Sequence, residues 1–573
     1  MAVFGRASFE IQLWKGGRWA INEVVPSEET ARAKAKDLLG LKTTEGVRII
    51  KESHFASDTR RESEIFCQMK EIDKDEDFSI TVVDEAPVCE KVDDYYLTAA
   101  RTTMARVFTK YLDKHEMTPF ELLHSHKNLK RMLNLDTMVP SAVDKIASLH
   151  ARVTGVDARK RKDIIYAAVE TISKRAREVD SKELPELKGS TLDELWRRMD
   201  ARFANQEERD YLAHVAFVRT TINWSGYLGK MTALLPMAKS QQDERARAMV
   251  DEMLADIFVA KTVIKDVIGV SKHLGDAVMR ILDLLEGKCK PTKFAVEELV
   301  DLLNQLFAAN LLPRSKKVLL DRLERDMASS VRLTNSEDSL ADKAFFDAIL
   351  ERVVTDHGVI GGRALAIGLT ERWARLTNVG GSTGRKRAME GVRDKLTAGK
   401  RKFIYLLAMY DPASDPDMKA LIESQVRDLA GQLNTIQKIA PEARTEKTRL
   451  QEVAGMQRLV LDSSLPDRLK EPVAGKFDEL VSDYIISQGV IERLDDKRLA
   501  FRERATRLVT FCASGVLTVG RATTIARDNI VSYLRRKDFI AEFTADIPEP
   551  ADKERAIKEF YALLSKTGFD VRG

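Results

Sequence analysis

The chain has 573 residues, of which 44% are hydrophobic and 32% charged, and its formal net charge is +4. This length exceeds what one hydrophobic core can organise, and the composition lies far from that of disordered or membrane-embedded proteins. So small a net charge provides no overall field that would attract nucleic acid or lipid. The four cysteines form no CxxC pair, which argues against both a disulfide framework and a zinc site.

The first residues lead directly into an amphipathic strand rather than into a basic start followed by an apolar core. This pattern differs from a secretory signal. No run of 18 apolar residues occurs, and a membrane-spanning helix needs about that length. We therefore expect a cytoplasmic protein without a membrane partner.

The first 70 residues predict a small α/β module. Apolar and polar residues alternate over residues 9–14 and again over 19–25, with a glycine-containing turn between them, which is typical of a hairpin. Ser27 precedes a helical pattern that runs to Leu39, and its first turn is acidic, as the helix dipole favours. Two further strand patterns follow at residues 46–52 and 63–69. The prediction is a ββαββ module.

From Asp93 onward the apolar period changes from two to about 3.6 residues and stays there almost to the end. The predicted class is α+β, with a large all-α body of 18 to 20 helices, for which separate domains and one elongated array are the alternatives. One long first helix is expected to present Tyr96, Val107 and Leu112 on one face. The predicted divisions are as follows: residues 1–77 (α/β module), 78–92 (linker), 93–310 (helical domain) and 311–573 (helical domain).

Two segments of the body resemble each other and leave an internal duplication open. Leu312-Pro313 recurs as Leu465-Pro466, and the glycine-containing stretch at 358–364 recurs at 515–522. A weaker third copy starts at Leu235-Pro236. The spacing is far longer than that of common helical repeats. Duplication and chance resemblance therefore both remain as interpretations.

The strongest functional signal is a basic segment at residues 372–403, which holds ten Lys or Arg residues and two acidic residues. At its centre a glycine-rich turn opens onto a helix, an arrangement that directs free backbone amides at an anion. The spacing is not that of a P-loop. The candidate anion-binding residues are Gly380, Gly381, Ser382, Thr383, Gly384, Arg385, Lys386, Arg387, Lys400, Arg401 and Lys402. A solvated basic loop without a ligand is the alternative.

The remaining motifs give weaker indications of a functional site. His124 and His126 are two residues apart, so one helix would direct them to opposite sides, and we interpret them as ordinary surface histidines rather than metal ligands. No catalytic motif is found, and only one ExxH match, at Glu121, appears where a di-metal helical enzyme needs two. Trp14 and Trp19 flank the predicted hairpin turn and are candidate partner-binding residues, with core packing as the alternative.

Three hypotheses follow. The preferred one is a non-enzymatic regulatory or scaffold protein that presents helical surfaces to protein partners, without a cofactor or metal and with oligomerisation left open. The alternative is a binder of an anionic ligand, a nucleotide messenger or nucleic acid, through the basic glycine loop at residues 380–402. An enzyme with a composite site formed by distant residues is the third.

Overall fold

The structure is a computed structural model. The residues that it describes are 7–15, 18–40, 44, 46–54, 60–69, 78–187, 191–291, 296–336 and 338–567. The chain forms two compact units, Met1–Lys272 with Asp276–Arg322, and His273–Gly275 with Leu323–Gly573. The domain limits expected from the sequence at residues 77, 92 and 310 remain predictions.

A four-stranded antiparallel sheet and one helix form the beginning of the first unit. Their limits are β1 Ala7–Lys15, β2 Arg18–Val25, α1 Glu28–Gly40, β3 Gly46–His54 and β4 Arg60–Met69. The strand order is β2-β1-β3-β4. This confirms the predicted ββαββ module. The predicted turn residues 16 and 17 and the acidic stretch at 71–77 lie outside the described residues.

Alternation along the strands gives the sheet two different faces. Ile11 and Leu13 of β1 and Val47 of β3 are buried on one face, against which α1 packs. Ala31 and Ala35 of α1 are completely buried at i and i+4, and such small side chains let the helix approach the strands closely. The opposite face of the sheet is therefore left for contacts with the helices that follow.

Helices make up almost all of the remaining chain. The structure describes 27 α-helices after α1, together with a 3₁₀ helix at Val92–Tyr96. The helices that begin in the first unit, apart from α13, are α2 Thr98–Val107, α3 Thr109–Lys114, α4 Pro119–Leu123, α5 His126–Leu133, α6 Met138–Thr154, α7 Ala158–Asp180, α8 Leu192–Arg202, α9 Gln206–Thr221, α10 Gly226–Ser240, α11 Glu244–Ile257, α12 Lys261–Ile268, α14 Glu297–Ala308 and α15 Pro313–Ala328. Helix α13 is Leu274–Leu285.

The second unit continues the helical pattern. Its elements are α16 Ser339–Val353, β5 Val354–Thr355, β6 Gly358–Val359, α17 Gly362–Leu376, α18 Gly381–Lys395, α19 Gly399–Met409, α20 Pro416–Gln432, α21 Ile436–Ile439, α22 Glu446–Asp462, α23 Asp467–Ser487, α24 Val490–Leu494, α25 Phe501–Ala513, α26 Arg521–Leu534, α27 Phe539–Phe543 and α28 Pro550–Lys566. Among the described residues, no helix has the length and apolar composition needed to cross a membrane.

The predicted all-α body is confirmed, but several details differ. The expected long first helix is broken at Phe108 into α2 and α3, and a 3₁₀ turn precedes it. Short helices such as α21 raise the number above the predicted 18 to 20. The predicted helix start at Thr118 is confirmed, because Thr118 and Glu121 satisfy each other's backbone amides in a capping box.

The segments of the proposed duplication occupy comparable places in only two of the three cases. Pro313 opens α15 and Pro466 precedes α23, and the two glycine-containing stretches lead into α17 and α26. Pro236 instead lies inside α10, so the weak third copy does not mark a helix start. Duplication and chance resemblance both remain predictions for the first two copies.

Candidate functional site

A polar cleft lies between the second face of the sheet and the neighbouring helices of the first unit. Its volume is about 350 Å³. We call it the sheet–helix cleft and define it by its lining residues: Trp19, Arg48, Glu64–Cys67, Met69, Tyr111, Lys114–Met117, Lys127, Asn128, Arg131, Ile222–Trp224 and Lys230. The strands β2–β4 form one wall, and α3, α5 and the start of α10 form the other. Pockets of this size are typical of small-molecule sites.

Arg48 is the central cation on the sheet side of the cleft. Its place follows from the alternation of β3, because Val47 and Ile49 face α1 and Arg48 therefore points away. Its Nη1 lies 2.6 Å from Glu116 Oε2, and its guanidinium stacks 4.6 Å from the ring centre of Trp19. Arg48 thus ties the sheet to the helical part of the unit.

Lys230 supplies a second buried cation on the helix side. Its ammonium group donates to Glu121 Oε2 and to the backbone oxygen of Glu116, each at 2.7 Å. The Lys230 side chain is 4% exposed and that of Glu121 is 0% exposed, so this ion pair has little contact with water. Glu116 itself has a left-handed backbone (φ 46°), and Gly226 packs against its carboxylate. The segment around Glu116 is therefore held by charges from both walls.

Helix α5 presents two more cations to the cleft without a carboxylate partner among the described residues. Lys127 and Arg131 are four residues apart, so they lie on the same face of the helix. Lys127 is exposed and Arg131 is half-buried. Within the part of the chain that the structure describes, the cleft is lined by five Lys or Arg residues but only two carboxylates, Glu64 and Glu116. The balance of charge is therefore positive.

Two residues that line the cleft, Tyr111 and His115, have a buried polar atom without a hydrogen-bond partner among the described residues. The hydroxyl of Tyr111 is unpaired although the residue is 1% exposed, and the Nε2 atom of His115 is also buried and unpaired. Burial, with Arg131 and Lys114 nearby, lowers the pKa of His115 to about 3, so the ring is neutral at physiological pH. Buried polar groups without partners are uncommon in proteins.

Glu64 differs from the other acidic residue of the cleft. Its carboxylate is 3.8 Å from Arg48 Nη1, too far for the direct hydrogen bond that Glu116 receives. Burial raises the pKa of Glu64 to about 7, against the attraction of Arg48 and Lys230. A carboxyl group with a pKa near 7 is partly protonated at neutral pH, which makes the cleft more positive.

Replacing Glu64 with glutamine is expected to stabilise the protein above pH 7 by up to about 3 kcal/mol, since each unit of pKa shift corresponds to about 1.4 kcal/mol. The folded-state pKa is above the ordinary value of 4.5, so the folded state binds more protons between pH 4.5 and 7. Wild-type stability should therefore fall across that window, and Glu64→Gln should remove the fall. Urea unfolding at pH 5 and pH 8 measures both.

Glu116→Gln provides the contrasting control, because Glu116 is in direct contact with Arg48. Its replacement is expected to destabilise the protein at pH 8. If the two substitutions change the free energy of unfolding equally at pH 8, burial does not determine the free-energy cost of the charge on Glu64.

The two candidate tryptophans are direct partners across the hairpin. Trp14 is paired with Trp19 in the β1–β2 register, and their rings meet edge to face at 5.2 Å. The turn thus places them on the same face, although simple alternation would separate them. Trp14 is buried, whereas Trp19 is half-buried and lines the sheet–helix cleft.

The basic glycine segment lies in the second unit, where Gly380 and Gly381 begin α18. Gly384 is buried in the first turn, and a side chain there would come within 2.9 Å of the Val379 backbone. Arg385 and Arg387 are exposed. Neither these two residues nor Lys402 has an ion-pair partner among the described residues. The side chain of Ser382 lies outside the described residues. At the start of α18, backbone amides therefore lie close in sequence to the side chains of Arg385 and Arg387.

Most other cations of this segment are paired with acids from distant parts of the chain. Lys386 is 3.1 Å from Asp417, Lys400 is paired with Glu452, and Arg401 is paired with Glu351 and Asp356. Lys395 is 2.7 Å from Asp347. Buried Arg372 donates to the backbone oxygens of three residues before α16, namely Asp326, Met327 and Val331. The local charge excess seen in the sequence is thus largely compensated by folding, and anion binding by this loop remains a prediction.

The histidine interpretation requires a correction. His124 ends α4 and His126 begins α5, so they do not share a helix, and His124 is buried rather than on the surface. Its Nδ1 is 2.7 Å from the Phe120 backbone oxygen, and burial beside His214 lowers its pKa well below the ordinary value. Within the described residues, no three His, Cys, Asp or Glu side chains are grouped so that they could hold a metal ion. The four cysteines are free.

Of the residues that line the cleft, only Trp19 is a candidate from the sequence pattern. The sequence pattern does indicate a special role for Arg48, because a cation within the apolar strand pattern Val47 to Ile50 needs a partner in the folded protein. Lys127 and Arg131 also share a helix face, but this spacing is common on solvated helices. Comparison with protein-family models, curated proteins and solved structures finds no match to this chain.

Proposed function

We propose that the protein is a regulatory protein that binds a small phosphorylated ligand, of about nucleotide size, in the sheet–helix cleft. The observation that carries this proposal is the pair of cations Lys127 and Arg131, which line the cleft and have no carboxylate partner among the described residues. Charge-assisted hydrogen bonds to phosphate are among the stronger polar contacts in proteins. Trp19 and Trp224 in the lining offer planar surfaces for a ring attached to the phosphate.

The position of the cleft supports a regulatory role. Its walls belong to the ββαββ module and to the helices, which are joined there by the Arg48–Glu116 ion pair and by a backbone hydrogen bond of 2.9 Å from Glu64 to Asn223. A ligand that contacts both walls stabilises their docking by its binding free energy. Ligand concentration would in this way control how firmly the module is held.

The test is calorimetric titration with a panel of nucleoside monophosphates and diphosphates and with inorganic phosphate. Lys127→Gln together with Arg131→Gln is expected to weaken binding at least tenfold, since each lost contact to a charged group costs about 1.5–3 kcal/mol. Lys130→Gln is the matched control, because Lys130 is an exposed cation of the same helix that does not line the cleft. Absence of binding at low salt, or equal losses in both variants, would reject the proposal.

A second candidate function, binding of a protein partner, is favoured by β2. In the described ranges this strand pairs only with β1, and it therefore forms one edge of the sheet. Residues 20–24 are exposed, with Ile21 61% and Val24 52% exposed. Edge strands with apolar side chains pair readily with a strand of another protein.

A photo-crosslinking residue at position 21 tests this second function in cells. One dominant protein adduct is expected, and Asn22→Pro should remove it by blocking strand pairing. The control position is Glu29, which is exposed on α1. An adduct pattern at position 21 that matches the one at position 29 would speak against strand pairing.

A further inference from the structure

A groove of about 860 Å³ lies within the second unit, among α22, α23, α24 and α25. We call it the second-unit groove and define it by the parts of the chain that line it: the start of α22, the end of α23, α24, one face of α25 with the residues just after it, and Asp546 after α27. Its volume is in the range of about 300–1,000 Å³ that is usual for sites of small organic ligands.

Helix α25 forms one wall of the groove. Glu503, Arg507, Thr510 and Ser514 line it at successive intervals of three or four residues, which places them on one side of the helix. A different side of α25, which includes the buried residue Leu508, packs into the core. The wall is therefore a helix side that the core does not use.

Part of the lining is apolar. Leu450 and Val516 are buried, and Leu494 and Phe511 are half-buried, so some of their carbon surface still faces the groove. Covering such surface removes it from water and is favourable. A ligand of the groove is therefore expected to have an apolar body.

The carboxylates of the groove are already compensated. Within the described residues, the three carboxylates that line it each form an ion pair with an arginine: the pairs are Glu446–Arg449 at 2.6 Å, Glu503–Arg507 at 2.6 Å and Asp546–Arg502 at 2.7 Å. These charges largely cancel one another. The sign of the local potential therefore depends on the remaining charged residues of the lining.

Two cations, Lys447 and Arg493, remain. Both are exposed and line the groove, and neither has a carboxylate partner among the described residues. Arg493 lies near the Tyr484 hydroxyl, because its charge opposes the rise in the pKa of Tyr484 that burial and Glu446 cause. Lys447 follows Glu446 in the chain, so both cations belong to the same end of the groove. Apolar surface thus adjoins a place of uncompensated positive charge.

We infer that the second-unit groove binds an amphipathic organic anion, whose apolar body contacts Leu450, Leu494 and Phe511 and whose acidic head is held by Lys447 and Arg493. Hydrogen bonds from such cations to an anionic head are stronger than those to a neutral one. The site is independent of the phosphorylated ligand proposed above, because it lies in the other unit and shares no lining residue with the sheet–helix cleft in the described ranges.

The experiment is calorimetric titration of the full chain with decanoate, 1-decanol and decylammonium, which have the same chain and differ in the head. Decanoate is expected to bind saturably and more tightly than decanol, and decylammonium is expected not to bind. Lys447→Gln together with Arg493→Gln should weaken decanoate binding by about tenfold or more, through the loss of contacts to a charged group. Decanol binding should change little in this variant.

Arg444→Gln together with Lys497→Gln is the matched control. These two cations are exposed and close in sequence to Lys447 and Arg493, but they do not line the groove. The control removes the same net charge and should leave decanoate binding unchanged.

A second pair of variants tests the apolar part of the site. Thr510→Glu places a carboxylate in the lining, where the apolar body of a ligand would cover it, and should weaken decanoate binding strongly. Ala513→Glu is its control, because Ala513 is exposed on the same helix and does not line the groove.

The inference is overturned if decanoate does not bind the wild-type chain, or if decanol or decylammonium binds as tightly as decanoate. It is also overturned if either control weakens decanoate binding as much as the variant with which it is matched.

Discussion

Replacing Arg101 with methionine is expected to lower the free energy of unfolding of the first unit by about 3–5 kcal/mol at pH 8. Arg101 and Asp256 form an ion pair whose side chains are 1% and 0% exposed. Arg101 Nε is 3.1 Å from both carboxylate oxygens, and the backbone amide of Phe120 donates to the same carboxylate at 2.7 Å. The substitution would leave this buried carboxylate without its counter-charge.

The cost of Arg101→Met should depend on pH. Burial raises the pKa of Asp256 to about 6 even beside Arg101, and loss of the cation will raise it further. The folded variant can then take up a proton that the unfolded chain does not hold at neutral pH, so its stability is lost as the pH rises through the folded-state pKa. We therefore expect a smaller loss at pH 5 than at pH 8.

Urea unfolding followed by tryptophan fluorescence measures this effect, because Trp14, Trp19, Trp196 and Trp224 all lie in the first unit and only Trp373 lies in the second. Adding Asp256→Asn to Arg101→Met should recover much of the stability, since it removes the orphaned charge but keeps an acceptor for Phe120. The expectation is wrong if the single variant loses the same free energy at both pH values.

The overall class and the ββαββ module could be predicted because they depend on patterns that are local in sequence. Alternation over residues 9–14 and 19–25 specifies a two-faced strand pair, and the period of 3.6 after Asp93 specifies helices. Short helices such as α21 and α24 leave no such pattern, since four or five residues make little more than one turn. The spacing of the apolar residues does not indicate the break between α2 and α3 either.

The electrostatic properties of the candidate sites could not be predicted, because the partners are distant in sequence. Lys400 is neutralised by Glu452, which is 52 residues away, and Arg401 by Glu351, which is 50 residues away. Conversely, Arg48 and Glu116 are 68 residues apart and meet only when the module docks on the helices. A count of charges along residues 372–403 therefore overestimated the positive potential of this segment. The residues of the sheet–helix cleft come from distant parts of the chain, so no single stretch of sequence contains them.

Replacing Gly520 with alanine is expected to destabilise the second unit by about 3–4 kcal/mol, through the strain of an unfavourable backbone and the loss of buried hydrogen bonds. Gly520 precedes α26 with φ 134° and ψ −136°, a conformation that side chains rarely allow. A Cβ atom there would lie 2.4 Å from Asp478 Oδ2. Asp478 accepts from the amides of Arg521 and Ala522, at 2.6 and 3.1 Å, and so caps α26 from another helix.

Gly515→Ala separates the two causes of this loss, because Gly515 also has a positive φ of 74° but its Cβ would find no atom closer than 3.8 Å. That control should cost only about 1 kcal/mol. Hydrogen exchange of peptides from α26 measures both variants, and Gly520→Ala should open this helix far more often than Gly515→Ala. Equal protection in the two variants would mean that Asp478 moves away without loss and that its capping of α26 contributes little. A large difference would instead show that the start of α26 is held by a side chain 43 residues before Arg521, and that glycine is needed at position 520 to make room for it.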